Sequence, residues 1–334
     1  PEPRFTDHGD GTMTDELTGL MWTQDNVTPG PPACNPGIRK SWWDALTHID
    51  CLNAEAYLGH TDWRLPNVIE IHSLAHLGEP DQLTWLESQG FNPTPFYYWW
   101  SSTTPAGSLA NAYIFGWEGG TYGAFNKNST TGPTVWPVRG STADGIAPLR
   151  KTGQVRCWNS SYSEIPCTGT GQDGDHQAGL EWPSPRFEVD GDCVTDRMTG
   201  LMWTKDGNIF GSGNWADAID NAQGLVLCGY DDWRLPSKLE SDSLIHFDRR
   251  IDIVPPTMME WWEANGFVNT SHYASWTGTT EPQASTSSYK MQGRSNKDST
   301  SYITWPVRGN LHTADADLSV EITDSPDPIV AGGT

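Results

Sequence analysis

Carboxylates gather in Asp-Gly turns at three places in this chain: Asp7, Asp10 and Asp15, then Asp173 and Asp175, then Asp190, Asp192 and Asp196. Oxygen ligands at such short spacing suit calcium, a hard cation that prefers carboxylates and carbonyls. None follows the EF-hand order, and Asp-Gly is also ordinary hairpin chemistry, so a Ca2+ site and a plain turn both stay open. His72 and His76 stand four apart and could share a metal from one helix face; a solvated helix face is the expected reading, with Asp242 and His246 at the matching positions of a second copy. The third group is aromatic. Tyr97, Tyr98, Trp99 and Trp100 run consecutively into a Ser/Thr stretch, and strand alternation with one buried face exposes about half of them. Trp117 and Tyr122 flank a Gly119-Gly120 turn and extend that surface. Exposed Tyr and Trp beside Ser, Thr and Asn suit sugar rings or a protein partner. No GxSxG, HExxH, P-loop or dinucleotide fingerprint occurs, so no catalytic residue is assigned and no cofactor beyond Ca2+ is expected.

The elements that must position these groups come twice. Asp62-Trp63-Arg64-Leu65-Pro66 returns at Asp232-Trp233-Arg234-Leu235-Pro236; TGLMWT precedes each copy (18–23, 199–204) and WPVRG follows each (136–140, 305–309). The order of landmarks is kept, so the chain is a tandem duplication with a period far too long for a solenoid. The expected division is a first domain over 1–140, a connector over 141–185, a second domain over 186–310 and a tail over 311–334. In each copy an Arg-Phe opener leads into a hairpin. A helix then starts at Ser41, with Trp42, Ala45, Leu46, Ile49 and Leu52 at helical spacing; Trp215, Ala218, Ile219 and Ala222 repeat it. Asn67 with Glu70, and Ser237 with Glu240, stand at capping-box spacing for a second helix, with Gly78 as the first one's stop. A short third helix (84–89, 258–265) leads into Trp-, Tyr-, Ser- and Thr-rich antiparallel strands. Arg64 and Arg234 are expected to hold carbonyls or a carboxylate in the core, with Trp63 and Trp233 filling it; Arg139 and Arg308 are expected to close the fold.

Six cysteines fall into local couples, Cys34 with Cys51, Cys157 with Cys167 and Cys193 with Cys228. None forms a CxxC, so zinc spacing is absent; three short-range disulfides and an oxidising compartment are expected, although six cysteines allow about fifteen pairings. Asn26, Asn128, Asn159 and Asn269 open N-x-Ser/Thr sequons and are candidate glycosylation sites.

The formal charge of −22 argues against nucleic acid, which is held by clustered Lys and Arg, and against sulfated polysaccharide unless calcium bridges it. No apolar run approaches a membrane span. Eighteen Trp and 34 Gly in 334 residues favour large buried aromatic area joined by many turns. The tail ADLSVEITD (316–324) alternates like one strand, with Asp317, Leu318, Val320 and Ile322 as candidate assembly residues.

Together GDGT-x-TD (9–15), LTGLMWT (17–23), DWRLPN (62–67), WWSST (99–103) and WPVRG (136–140) resemble the Lcl C-terminal domain family of bacterial collagen-like adhesins, and the set recurs in the second copy. GQDGDHQAG with WPSPRF (171–187) resembles the lead-in to such domains, and the tail resembles the first strand of an immunoglobulin-like surface repeat. The resemblance implies an α+β, C-type-lectin-like fold in two tandem copies, related to the formylglycine-generating enzymes, on a secreted or cell-surface protein. The second copy departs from the pattern: Gly191-Asp192-Cys193 replaces GDGT, and SWTGT (275–279) replaces WWSST. The resulting expectation is a non-catalytic adhesive module that binds glycan or protein. The alternative is a structural subunit of a filament, in which the tail strand adds to a neighbouring copy.

Overall fold

The computed structural model describes residues 3–37, 39–92, 98–116, 122–250, 256–270, 275–282, 284–291 and 293–310. The first repeat opens on three short strands, β1 (Phe5–Asp7), β2 (Thr12–Asp15) and β3 (Met21–Thr23). Helices α1 (Trp42–Ala54), α2 (Val68–Ser73) and α3 (Gln82–Ser88) follow. Strands β4 (Tyr98–Trp100), β5 (Asn111–Gly116), β6 (Gly123–Asn126) and β7 (Val138–Arg139) complete it. The connector carries β8 (Cys157–Trp158), β9 (Glu164–Ile165) and α4 (Asp173–His176). The second repeat runs β10 (Phe187–Asp190), β11 (Cys193–Asp196), β12 (Met202–Thr204), β13 (Ser212–Gly213), α5 (Trp215–Gln223), α6 (Lys238–Ser243) and α7 (Met258–Ala264). It ends in β14 (Trp276–Glu281), β15 (Ala284–Lys290), β16 (Gly293–Asn296), β17 (Tyr302–Ile303) and β18 (Val307–Arg308).

The architecture is mixed α+β, with short helices on small antiparallel sheets and three disulfides, and no barrel among the described residues. Each repeat is closed by its own ends. The last strand pairs with the TGLMWT strand, β3 with β7 and β12 with β18, making four-stranded sheets of order β1-β2-β3-β7 and β10-β11-β12-β18. A second sheet, β4-β5-β6 or β14-β15-β16, lies beyond the helices.

The capping chemistry explains where the helices start. Ser41 accepts the Asp44 amide hydrogen, and both Asn67 with Glu70 and Ser237 with Glu240 form complete capping boxes, which satisfy orphan amides of the first turn. Gly78 is not the stop of α2: the helix ends after Ser73 with Leu74 as C-cap, because fully buried Leu74 must turn into the core.

The duplicated arginines tie each repeat together in the same way. Arg64 donates from both terminal nitrogens to Glu70, 2.6 Å each, and Arg234 repeats this on Glu240 at 2.7 and 2.6 Å. Arg4 forks onto Asp15 and reaches Ser73 O at 2.6 Å; Arg186 forks onto Asp196 and reaches Ser243 O at 2.8 Å. Arg139 holds Asp62 at 2.7 Å and Arg308 holds Asp232 at 2.6 Å. Paired, hydrogen-bonded burial is what makes charges tolerable inside a protein. Trp63 and Trp233 are buried beside these pairs, and Trp22–Trp136 and Trp203–Trp305 pack edge to face at 5.5 and 5.8 Å, a preferred geometry for aromatic pairs.

The connector is packed against both repeats. Asp173 accepts hydrogen bonds from Thr103 and Thr152 at 2.7 and 2.8 Å, and Gln154 exchanges two bonds with the Thr104 backbone. On the other side Arg156 grips Asp248, Phe247 N donates to Thr152 O, and Trp182 packs on His246 at 4.9 Å. Lys127 lies buried over Trp42 at 4.1 Å with the connector's Trp158 5.7 Å away, and burial drops its pKa to about 7.

Candidate functional site

Strand β4 is read on both faces by the core. Trp99 points into the cluster containing Trp136 and Phe115, Trp100 into the cluster beneath α1 containing Trp42, and neither has any exposed surface. The expectation that alternation exposes Trp99 is therefore corrected: each face of this strand has a layer packed on it, so Trp99 cannot touch a ligand. Tyr98 is the member of the run that reaches solvent, at 37% exposure. Its ring stacks on Phe125 of β6, centroids 6.4 Å apart and planes at 30°. Phe125 was missed in the sequence because it stands alone between Ala124 and Asn126; only the sheet order β4-β5-β6 and the ring contact across it bring it to Tyr98. Ala124 and Asn126, which alternate with half-buried Phe125 along β6, are exposed on the other face of the sheet. Ala274 and Ser295 stand at the corresponding positions of the second repeat, so the stacked pair belongs to the first. Tyr97 and Trp117 lie outside the described residues.

Tyr122 is not part of that face. Its hydroxyl donates to Asp242 Oδ2 at 3.0 Å, across the boundary between repeats, and its ring lies 4.5 Å from His72 and 5.4 Å from Phe247. Lys238 sits 4.8 Å over the ring and is paired with Asp242. Burial, then the Asp242 charge, holds the Tyr122 pKa well above its usual value, while burial raises that of Asp242. Val68 joins the second repeat's core cluster, with Ile69, Tyr113 and Tyr122 packed against it. The solvated-face expectation for the histidine pair is corrected in part: His72 is half-buried against this contact, its pKa pushed down to about 3 by burial, and His76, past the end of α2 and also half-buried, packs on Trp85 at 5.4 Å.

The Asp-rich turns are not brought together as one ligand set. Asp15 and Asp196 are committed to Arg4 and Arg186. Asp10 accepts from the Thr12 amide and hydroxyl, which lowers its pKa, and Asp7 accepts from Gly9 N and Gln24. Asp190 and Asp192 flank the β10–β11 turn, Asp175 accepts from Gly171 N, and buried Asp173 is bound to two threonines. Among the described residues no group of three or more His, Cys, Asp or Glu is arranged to hold a metal ion. The disulfides are Cys34–Cys51, Cys157–Cys167 and Cys193–Cys228, as the local couples predict.

Of the sequons, Asn26 is fully buried, which removes it as an acceptor in the folded protein. Asn128 is exposed but engaged by Trp43 and Tyr162, Asn159 caps its own loop through the Ser161 and Ser163 amides, and exposed Asn269 donates to Asp206. The assembly residues Asp317, Leu318, Val320 and Ile322 lie outside the described residues.

Across this framework the family model for the Lcl C-terminal domain matches residues 11–139 and 192–308. The chain belongs to the Lcl C-terminal domain family. The two matched spans take in β2 to β7 and β11 to β18, with Arg4 and β1, and Arg186 and β10, just ahead of them, so the chain carries two tandem copies, and the family is that of a surface-associated domain. No curated protein matches the chain. Among the described residues no helix is long and apolar enough to cross a membrane. Within each Lcl C-terminal domain the charged motif residues serve closure, and the variable aromatic positions differ between the copies.

Proposed function

We propose that this protein is a non-catalytic, extracellular recognition module that binds carbohydrate through the Tyr98–Phe125 face of its first domain. The observation that carries the reading is the stacked Tyr98–Phe125 pair on the β4-β5-β6 sheet, with Tyr98 open to solvent. A sugar ring offers C–H groups to an aromatic face and hydroxyls to neighbouring amides, and a preorganised platform loses little entropy on binding. Three disulfides suit an oxidising, extracellular setting. The net charge of −22 favours neutral or basic glycans over sulfated ones. The test is a glycan array and titration calorimetry with the full chain against Tyr98→Ala and Phe125→Ala. Selective loss of a neutral-glycan signal in both variants, with unchanged melting in Tyr98→Ala and Phe125→Ala still folded, supports the reading; equal binding by all three forms rejects it.

A further inference from the structure

The internal duplication exposes a cleft in one repeat that a chain segment fills in the other. After Gly140 the connector runs along the β2–β3 turn: Ala147 N donates to Leu17 O, and Leu149, nine residues after Gly140, enters the first core. The strap then crosses to the second repeat, where Arg150 donates to Asp242 O and Thr152 O accepts from Phe247 N. Applying the repeat correspondence, Leu17 matches Met198, Ile69 matches Leu239, Asp242 matches His72 and Phe247 matches Leu77. A second strap leaving Gly309 would therefore start at Met198, pass Leu239 and His72, and reach Leu77.

Met198, Leu239, His72 and Leu77 line one cleft, about 140 Å³, between the two domains, with Leu149 of the first strap as its far wall. One further feature fits an acidic peptide. Two cations, Arg150 and Lys238, border the cleft against the single carboxylate of Asp242, which favours an acidic occupant.

We propose that the inter-domain cleft is the docking site of this chain's own segment 311–324, with Leu318 as its anchor. Leu318 stands nine residues after Gly309, as Leu149 stands nine after Gly140, and Ala316 keeps the place of Ala147. Asp315, Asp317, Glu321 and Asp324 supply the acidic charge. The two paths differ near their start: at Gly145 a Cβ would lie 2.2 Å from the Thr18 carbonyl carbon, and Ala314 stands at that distance in the tail. The correspondence begins at Ala316. Docking in this way makes the second strap a clamp across both domains and occupies the strand that filament assembly would need.

The experiment is hydrogen exchange on the full chain, wild type against Leu318→Asp and Leu318→Ala, at several protein concentrations with mass from light scattering. The expected result is exchange about tenfold faster at 196–201 and 75–77 in Leu318→Asp, less in Leu318→Ala, with monomers throughout. Unchanged exchange in both variants overturns the proposal. So does protection that grows with concentration alongside dimers or longer species, because a neighbour's tail then fills the cleft.

Discussion

Tyr122 of the first domain donates its hydroxyl hydrogen to Asp242 of the second at 3.0 Å, with Lys238 over the ring at 4.8 Å. Two domains that share this part-buried contact, a common core edge at Val68 and a connector bound on both sides are predicted to unfold together rather than in sequence. Removing only the hydroxyl, Tyr122→Phe, is predicted to cost about 1–3 kcal/mol. Tyr122→Ala is predicted to split a single calorimetric transition into two. A single transition in Tyr122→Ala would show that the domains are coupled elsewhere.

The matched arginines give a paired comparison. Arg64 and Arg234 make the same bidentate contact, but their side chains are 9% and 38% exposed. Arg64→Ala leaves the buried Glu70 carboxylate with the Asn67 amide but no countercharge and is expected to cost about 3–5 kcal/mol. Arg234→Ala should cost clearly less, since water can reach the freed Glu240. Urea midpoints of the two variants check the ordering, and equal losses would contradict it.

How much of this was legible beforehand divides along a physical line. Asn67 with Glu70 and Ser237 with Glu240 are local signals, and both capping boxes formed; DWRLP and WPVRG identified the closure of each domain because the same residues recur, and the cysteine couples were legible because each is close in sequence. What depends on a second packed layer was not legible. Trp99 and Trp100 read as an alternating strand, yet both faces are covered. His72 read as solvated because nothing in its own helix reveals that Tyr122 and the second domain lie against it. Phe125 became visible as a candidate only through the sheet order and the ring contact across it.

Asp173 sets a pH dependence. Its carboxyl is buried between Thr103 and Thr152, and burial raises its pKa from 3.8 to about 7. The folded state therefore holds this proton more tightly than the unfolded chain, so the contribution is fully present below about pH 3.8 and is lost as pH rises through about 7. His72 and His246, both depressed to about 3 by burial, act oppositely, contributing stability above about pH 6.5 that falls away on acidification. The difference between wild type and Asp173→Asn isolates the carboxyl: wild type should lose more stability than the variant between pH 5 and pH 8. Parallel pH profiles for the two proteins would remove Asp173 from this role.

The disulfides should rank by the loop each closes, because a longer loop restricts the unfolded chain more. Cys193–Cys228 spans 35 residues, Cys34–Cys51 spans 17 and Cys157–Cys167 spans 10. Replacing each couple with Ser is predicted to cost about 4 kcal/mol for the longest and about 3 for the shortest. Denaturation of the three double variants measures the order. A larger loss at Cys157–Cys167 would mean that it does more for connector packing than for the unfolded chain.

The most direct measurement is titration of the full chain, Tyr98→Ala and Phe125→Ala with a neutral glycan selected from an array, with melting recorded for each. Recognition by the stacked pair predicts saturable binding by the native chain, weakened at least about tenfold in both variants, with melting unchanged in Tyr98→Ala and Phe125→Ala still folded. Undiminished binding by either variant would contradict it.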